Sequence, residues 1–399
     1  MRITALETIR LQEFPNLIWL RVHGEDGLAG LGETFMAAGA VEAYLHEIVA
    51  PMILGEDAFA VDRIARKLLP YLGHRSSGVE IRANSAVDIA LWDLWGRATD
   101  QPLVQLLGGR TREKIRTYNT CAGYRYIRDT RLQKVANWGV GATDGPYEDL
   151  DAFLNRADEL AHSLLEQGIT GMKIWPFDIA AERSGGHAIT SEELATALKP
   201  FEKIRSAVGD RMDIMVEFHS MWNLPTAIRI ARALEPYGTY WHEDPIRMDS
   251  LASLKTYAAA SRAPVCGSET LGLRSGFRDL LETGALGICM LDLSWCGGIG
   301  EAKKIATMAE AWHLPVAPHD CTGPVVLAAS THLSCNAPNA LIQESVRAFY
   351  TGWYKEIVTA LPTVEDGMIA PPPGPGLGMD LLPDLVSRPD AVVRWSRPE

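Results

Sequence analysis

The first 33 residues of the chain alternate between apolar and polar positions on both sides of a glycine-flanked turn at 24–27. This period of two is typical of antiparallel strands with one buried face. From about residue 40 to 108 the apolar positions follow a helical period instead, and Ala86 and Ala90 share one face of the clearest segment. Hairpins followed by helices predict an N-terminal α+β domain over residues 1–114.

Short apolar runs then alternate with helical segments. Eight of these runs are strand candidates, at 115–121, 170–175, 212–218, 238–243, 263–268, 287–292, 314–318 and 340–344. Eight strands that alternate with helices predict a (β/α)8 barrel over residues 115–354. The segment 355–399 is rich in proline and glycine between Pro371 and Gly378, so it cannot extend the barrel, and we expect it to pack back on the N-terminal domain.

Composition narrows the class of protein. A chain of 399 residues with 47% hydrophobic content buries a large core and is too long for one ordinary barrel. The net charge of −12 argues against nucleic acid or an anionic membrane as a partner. Six cysteines without Cys-x-x-Cys spacing predict reduced core residues. Because no apolar run resembles a signal peptide or a membrane span, we expect a cytoplasmic enzyme with a small-molecule substrate.

Three glutamates, Glu217, Glu243 and Glu269, stand at equal intervals of 26 residues, each at the end of a strand candidate. Parallel strands of a barrel bring their C-terminal ends to one face, so three carboxylates at this period converge on one small volume. Like charges so close together require a cation, and oxygen ligands favour Mg²⁺. The alternative is that each glutamate opens a solvated loop.

From Gly30-Leu31-Gly32-Glu33 to the Pro-Gly-Leu-Gly stretch ending at Gly378, the chain resembles the enolase superfamily, mandelate racemase subgroup. The resemblance implies an α/β fold, a modified TIM-type barrel closed by an N-terminal α+β capping domain that the C-terminal segment completes. It also implies that Glu217, Glu243 and Glu269 bind Mg²⁺. It is closest in kind to the acid-sugar dehydratases that act on galactonate or mannonate.

The resemblance assigns roles to three residues at the ends of the sixth, seventh and eighth strand candidates. His319 is expected to be the general base and Asp292 to orient its imidazole. Glu344 is expected to hydrogen-bond the substrate carboxylate and, if protonated, to stabilise the charge that develops there. The alternatives are a histidine that caps a strand and a solvated glutamate at a strand end.

Two positions distinguish a dehydratase from a racemase. His219 follows Glu217 by two residues and shares its face, and in dehydratases of the family a histidine here protonates the departing hydroxyl. Racemases of the subgroup carry Lys-x-Lys on the second strand, whereas this chain has Lys173-Ile174-Trp175. Because tryptophan accepts no proton, the second base is missing. Lys173 is expected to neutralise the substrate carboxylate, with a surface lysine as the alternative.

The substrate-binding residues are harder to identify. We expect Trp175, Phe14 and Asn16 to line the site, the last two from a capping-domain loop, unless they only pack the domain interface. The polar segment 176–189 is expected to border the active site. The family resemblance suggests a homo-oligomer, either a dimer or an octamer.

The predicted function is a Mg²⁺-dependent dehydratase of an acid sugar, an aldonate or aldarate, that forms a 2-keto-3-deoxy acid. Two alternatives remain open. One is a racemase or epimerase of a 2-hydroxy or sugar acid, which the tryptophan at 175 disfavours. The other is a non-catalytic barrel that binds a sugar acid.

Overall fold

The structure is a computed structural model that describes residues 1–69, 71, 78–131 and 133–398. Its strands in chain order are β1 (Ile3–Leu11), β2 (Leu17–Gly24), β3 (Ala29–Phe35), β4 (Ile115–Thr120), β5 (Gly171–Ile174), β6 (Asp213–Glu217), β7 (Trp241–Glu243), β8 (Val265–Gly267), β9 (Leu286–Leu291), β10 (Val316–Pro318), β11 (Gln343–Ser345), β12 (Thr363–Glu365), β13 (Met368–Ala370) and β14 (Ala391–Ser396).

The helices cover the barrel and one face of the N-terminal sheet. They are α1 (Ala38–Tyr44), α2 (Ala50–Ile53), α3 (Val61–Leu68), α4 (Val79–Thr99), α5 (Leu103–Leu106), α6 (Asp149–Asn155), α7 (Ala157–Glu166), α8 (Asp178–Ser184), α9 (Ser191–Val208), α10 (Leu224–Leu234), α11 (Leu251–Ala260), α12 (Leu273–Glu282), α13 (Ile299–Ala311), α14 (Pro324–Asn336) and α15 (Arg347–Tyr350).

Strands β4 to β11 form the predicted parallel barrel, and each overlaps one of the strand candidates. Neighbours in sequence pair side by side from β4 to β10. The ring closes because β11 pairs in parallel with β4, and Ala340, just before β11, forms a parallel bridge with Val316 of β10. All eight C-terminal strand ends therefore lie on one face.

The N-terminal domain is a four-stranded antiparallel sheet in the order β14, β1, β2, β3. The C-terminal segment divides between the two domains. Strand β14 pairs with β1, whereas β13 pairs with the first residues of β4, so Ile369 lies opposite Ile115. Within the described residues, no helix combines the length and apolar composition that a membrane span requires.

Helix α4 lies directly on β3 because β3 carries glycine where the two backbones meet. A Cβ atom at Gly30 would lie 1.9 Å from the carbonyl oxygen of Ala90, and one at Gly32 would lie 2.0 Å from that of Ala86. The next residue, Glu33, reaches across the domain interface. Its buried carboxyl group accepts hydrogen bonds from the first-turn amides of α14 at 3.0 and 3.1 Å, and burial raises its pKa to about 8.

The Gly32→Ala substitution should destabilise the protein, since the added methyl group collides with helix backbone and not with a flexible side chain. Overpacking of this kind costs roughly 1–3 kcal/mol. The free energy of unfolding in urea measures the loss. Gly39→Ala is the matched control, because nothing lies within 4 Å of its added Cβ and alanine favours a helix. An unchanged stability for Gly32→Ala would contradict the close packing of α4 on β3.

Candidate active site

Three carboxylates meet at the C-terminal face of the barrel. Glu217, Glu243 and Glu269 each offer an oxygen atom, and these atoms lie within 4.8 Å of one another. The strand register explains part of the arrangement, since Glu217 and Glu243 are direct partners in the β6–β7 pairing. The sequence predicted this convergence from the equal intervals alone, and the structure brings all three side chains together.

Lys173, from the end of β5, lies among these carboxylates. Its ammonium group is 2.6 Å from Glu243, 2.9 Å from Glu344 and 3.5 Å from Glu217. The side chain is only 2% exposed, which excludes the alternative of a surface lysine. Burial lowers the pKa of Lys173, but the surrounding carboxylates raise it well above its ordinary value, so the group stays charged.

The cluster has the properties of a divalent cation site. One oxygen of Glu217, Oε2, is buried and has no hydrogen-bond partner among the described residues. Burial, followed by the charge of Glu217, raises the pKa of Glu243 well above its usual range. Both observations indicate more buried negative charge than Lys173 neutralises, and an all-oxygen donor set suits a hard divalent ion.

His319 follows β10 and forms the predicted pair with Asp292. Its Nδ1 atom is 2.8 Å from Asp292 Oδ2, and its Nε2 atom is 2.8 Å from Glu269 Oε2. The other oxygen of Asp292 accepts hydrogen bonds from the backbone amide and the hydroxyl of Ser294, at 2.7 and 2.6 Å. The imidazole is therefore fixed in orientation, with its second nitrogen directed to the carboxylate cluster.

His219 lies on the other side of the cluster and has its own carboxylate partner. Its Nδ1 atom is 2.6 Å from Asp178 Oδ2, at the start of α8. Burial lowers the pKa of His219, but Asp178 and Glu217 raise it to about 9, which favours the protonated imidazole at neutral pH. Sequence reasoning expected the 176–189 segment to border the site but did not identify Asp178.

Glu344, which is expected to hydrogen-bond the substrate carboxylate, is surrounded by other partners in the structure. Its Oε1 atom accepts from the hydroxyl of Thr120 and pairs with Lys173, and its Oε2 atom accepts from the amide of Asp320 at 2.9 Å. Burial raises its pKa, but Lys173 and His319 lower it below the ordinary value. In this structure Glu344 is an ionised group that holds Lys173, because a cation and hydrogen-bond donors surround both of its oxygens.

A cavity of about 230 Å³ opens beside His219 and Glu269. Its outer wall comes from the loop 121–148 between β4 and α6, which contributes Gln133, Lys134 and Trp138. The sequence analysis missed this loop because it carries no repeat and no hydrophobic period. The available signal was its length, which exceeds that of most strand-to-helix connections in a barrel.

None of the three residues expected to bind substrate lines this cavity. Phe14 is 1% exposed and stacks on Trp353 with ring centroids 5.0 Å apart, so it packs the interface, as the alternative held. Asn16 donates a 2.5 Å hydrogen bond to the carbonyl oxygen of Thr130 and thereby holds the loop 121–148. Trp175 is also buried, but its ring lies 5.9 Å from His219 and supports the imidazole from behind.

Comparison with known proteins identifies the family. The description "Enolase C-terminal domain-like" matches residues 156–385, and the N-terminal domain of the mandelate racemase / muconate lactonizing enzyme family matches residues 3–108. The chain belongs to the enolase superfamily, mandelate racemase subgroup. The predicted family and the predicted fold class are both confirmed, and membership implies a divalent metal at the carboxylate cluster.

Two named relatives match nearly the whole chain. A D-galactonate dehydratase of Ralstonia nicotianae is 30% identical over 407 aligned positions that include 100% of this chain and 97% of the relative. A D-xylonate dehydratase of Haloferax volcanii is 28% identical and the match covers 96% of this chain and 88% of that one.

Solved structures agree in fold over the full length. An enolase of the mandelate racemase subgroup from Agrobacterium tumefaciens is 59% identical, with a TM-score of 0.89, and the match covers 100% of this chain and 99% of that one. An enolase protein from Sargasso Sea environmental sequencing is 45% identical, with the same TM-score and the same coverage.

The Glu217→Gln substitution should weaken binding of a divalent ion, because a neutral amide replaces one of three clustered carboxylates. We expect the affinity for Mg²⁺ to fall by at least about 100-fold, because substitutions of residues that only support the metal ligands already lower it by up to about 100-fold. Isothermal titration of the purified protein with Mg²⁺ measures it. Glu282→Gln, at an exposed position, is the control, and equal affinities for the two variants would refute the ligand assignment.

Proposed function

We propose that the protein is a Mg²⁺-dependent acid-sugar dehydratase in which His319 removes the α-proton and His219 protonates the departing β-hydroxyl. The observation that carries the proposal is the pair of histidine–carboxylate contacts beside the glutamate cluster, His319 with Asp292 and His219 with Asp178. One base and one acid that flank a cation site are the groups that a β-elimination needs.

The names of the relatives support the same class of reaction. The D-galactonate and D-xylonate dehydratases that align over the length of the chain are both hydro-lyases of acid sugars. At about 30% identity, they support an acid sugar as the substrate class and leave the particular sugar open. We take an aldonate, the kind of acid in both names, as the first candidate.

The chemistry requires several charged groups to act together. Loss of the α-proton places a second negative charge on a carboxylate, so the site must bind that dianion better than the substrate. A divalent ion held by Glu217, Glu243 and Glu269 supplies electrostatic stabilisation of this charge when bound. Lys173 adds a permanent positive charge at the same place, because four surrounding groups keep it protonated.

Proton transfer falls to the two histidines. His319 takes the α-proton on Nε2 while Asp292 holds Nδ1, and the electron pair of the broken C–H bond moves toward the carboxylate. That pair then forms the Cα–Cβ double bond as the β-hydroxyl leaves. His219 gives the hydroxyl a proton, so water departs. The resulting enol tautomerises to a 2-keto-3-deoxy acid.

A racemase would need a second base on the face opposite His319. Trp175 occupies the position where the subgroup's racemases carry that lysine, and its indole packs behind His219. Asp178, which is not one of the clustered glutamates, is the first of the charges that raise the pKa of His219. This face offers a proton donor, His219, and the second strand offers no proton acceptor at position 175. Both features favour elimination over inversion.

A screen of mono- and diacid sugars with Mg²⁺, developed with semicarbazide to detect 2-keto acids, tests the substrate class. We expect turnover of at least one aldonate, with D-galactonate and D-xylonate included in the panel. Loss of turnover on addition of a chelator, and recovery with excess Mg²⁺, tests the metal. Exchange and inversion at Cα without any 2-keto product would instead identify a racemase.

The two histidine variants should separate the two halves of the reaction. In deuterated water, His319→Asn should stop exchange of the α-proton and also stop dehydration, because the base is removed. His219→Asn should still exchange the α-proton but lose dehydration by about 10²- to 10⁴-fold, the usual contribution of a positioned acid. Proton NMR of the substrate measures exchange, and the 2-keto assay measures dehydration.

The control for these variants is His313→Asn, at an exposed turn after α13, which should behave like the wild type. If His319→Asn exchanged the α-proton at the wild-type rate, His319 would not be the base. If His219→Asn dehydrated the substrate normally, the acid would have to be another group.

A further inference from the structure

Two charged side chains line the cavity beside His219 without belonging to the acid pair or to the glutamate cluster. Lys134 comes from the loop between β4 and α6, and Glu182 comes from α8. Both side chains are exposed, so a molecule that enters the cavity contacts them directly. The other charged residues of the wall already have roles in the acid pair and the cluster, and they are Asp178, His219 and Glu269.

Glu182 places a hydrogen-bond acceptor in the cavity wall. Its Oε2 atom accepts from the backbone amide of Val135 at 2.7 Å, which fixes the carboxylate against the loop 121–148. Its other oxygen, Oε1, has no hydrogen-bond partner among the residues that the structure describes. A carboxylate accepts hydrogen bonds and donates none. The free oxygen of Glu182 therefore suits a ligand group that carries a hydrogen, such as a hydroxyl.

Lys134 adds hydrogen-bond donors to the same wall. Within the described part of the chain, its ammonium group forms no ion pair with any carboxylate, Glu182 included. An ammonium group has three donors and no acceptor. These donors are therefore available to an oxygen atom of a bound molecule.

A hydroxyl matches both groups, because it donates one hydrogen bond and accepts others. A carboxylate at the same place would accept from Lys134, but it has no hydrogen for Glu182 and is repelled by its charge. Trp138 and Met221 also line the cavity, and their apolar surfaces suit the C–H groups of a carbon chain. The wall therefore suits a neutral chain that bears hydroxyl groups better than one that ends in a second carboxylate.

We propose that Glu182 and Lys134 bind the hydroxyl-bearing end of the substrate and thereby select an aldonate over an aldarate. This inference rests on the proposed function, since it assumes that the carboxylate of an acid sugar lies at the glutamate cluster and that its β-hydroxyl faces His219. The remaining carbons then extend past His219 into the cavity. There a hydroxyl donates to Glu182 and accepts from Lys134, whereas the second carboxylate of an aldarate meets the charge of Glu182.

The test compares wild type and Glu182→Gln on pairs of acids that differ only at the far end of the chain. The pairs are D-galactonate with galactarate and D-xylonate with xylarate. Glutamine keeps an oxygen for the amide of Val135 and removes the charge. We expect the wild-type kcat/KM to favour the aldonate by at least about 10-fold, and the variant to reduce this preference by about 10-fold. A lost hydrogen bond to a charged group has an effect of this size.

Lys134→Met is the second variant, and its exposed position puts the fold at little risk. It removes a donor that a hydroxyl and a carboxylate both use, so kcat/KM should fall by about 10-fold on both acids of a pair. The matched controls are Glu202→Gln and Lys199→Met, both at exposed positions of α9. They should change kcat/KM by less than about twofold on every acid.

Two results would overturn the inference while leaving the proposed function intact. One is a wild type that prefers the aldarate of a pair. The other is a Glu182→Gln variant with an unchanged preference, because a residue that only anchors the loop would affect both acids equally. If the wild type turns over none of these acids, the proposed function fails for them, and calorimetric affinities decide the inference. A reduced preference for the aldonate in binding by Glu182→Gln would then support it, and an unchanged preference or no binding would overturn it.

Discussion

The structure depends above all on how several buried carboxylates share one face of the barrel with a single lysine. Two like unit charges about 4 Å apart repel by about 4 kcal/mol at an effective dielectric constant of about 20. Lys173 offsets part of this repulsion by contacting Glu217, Glu243 and Glu344 at once. The remainder persists as the raised pKa of Glu243, and a divalent ion is the means by which such a cluster keeps its carboxylates ionised.

The capping domain is part of this site and not merely a cover over it. Thr34 donates to the carbonyl oxygen of Ser294 at 2.9 Å, and Ser294 in turn donates to Asp292, which orients His319. Glu33, the residue before Thr34 on β3, accepts a hydrogen bond from the start of α14. This helix follows His319 in the chain. The capping domain therefore contacts the segments that follow Asp292 and His319 in the chain.

Much of the fold and part of the site could be predicted from the regular spacing of residues along the sequence. The barrel units that begin with β6 and β7 each have one strand and one α-helix of similar length, so Glu217, Glu243 and Glu269 recur at a constant interval and converge once the barrel closes. The family resemblance added Asp292 and His319. Neither source indicated Asp178 or the loop 121–148, since the contacts of both depend on long-range packing and leave no periodic trace in the sequence.

The errors have the same physical origin. Phe14 was expected at the substrate because it lies in a capping-domain loop, yet it stacks on Trp353 in the interface. An aromatic side chain contributes most when it is fully buried, and composition alone does not distinguish an interface from a cavity wall. The family resemblance predicted that Glu344 hydrogen-bonds the substrate carboxylate and, if protonated, stabilises its charge, whereas the Lys173 cation beside it favours the ionised form.

The two histidines are the same residue type, but we assign them different roles because their surroundings differ. His319 is directed by Asp292 toward the glutamate cluster, whose carboxylates raise its pKa, and a divalent ion held there would offset them. His219 is paired with Asp178 and backed by the indole of Trp175, on the side where the cavity opens. A base that faces the metal site and an acid that faces the cavity mouth suit a substrate that loses a proton at one carbon and a hydroxyl at the next. Inversion at one carbon would require two interchangeable bases, and the asymmetry of these two environments opposes that exchange of roles.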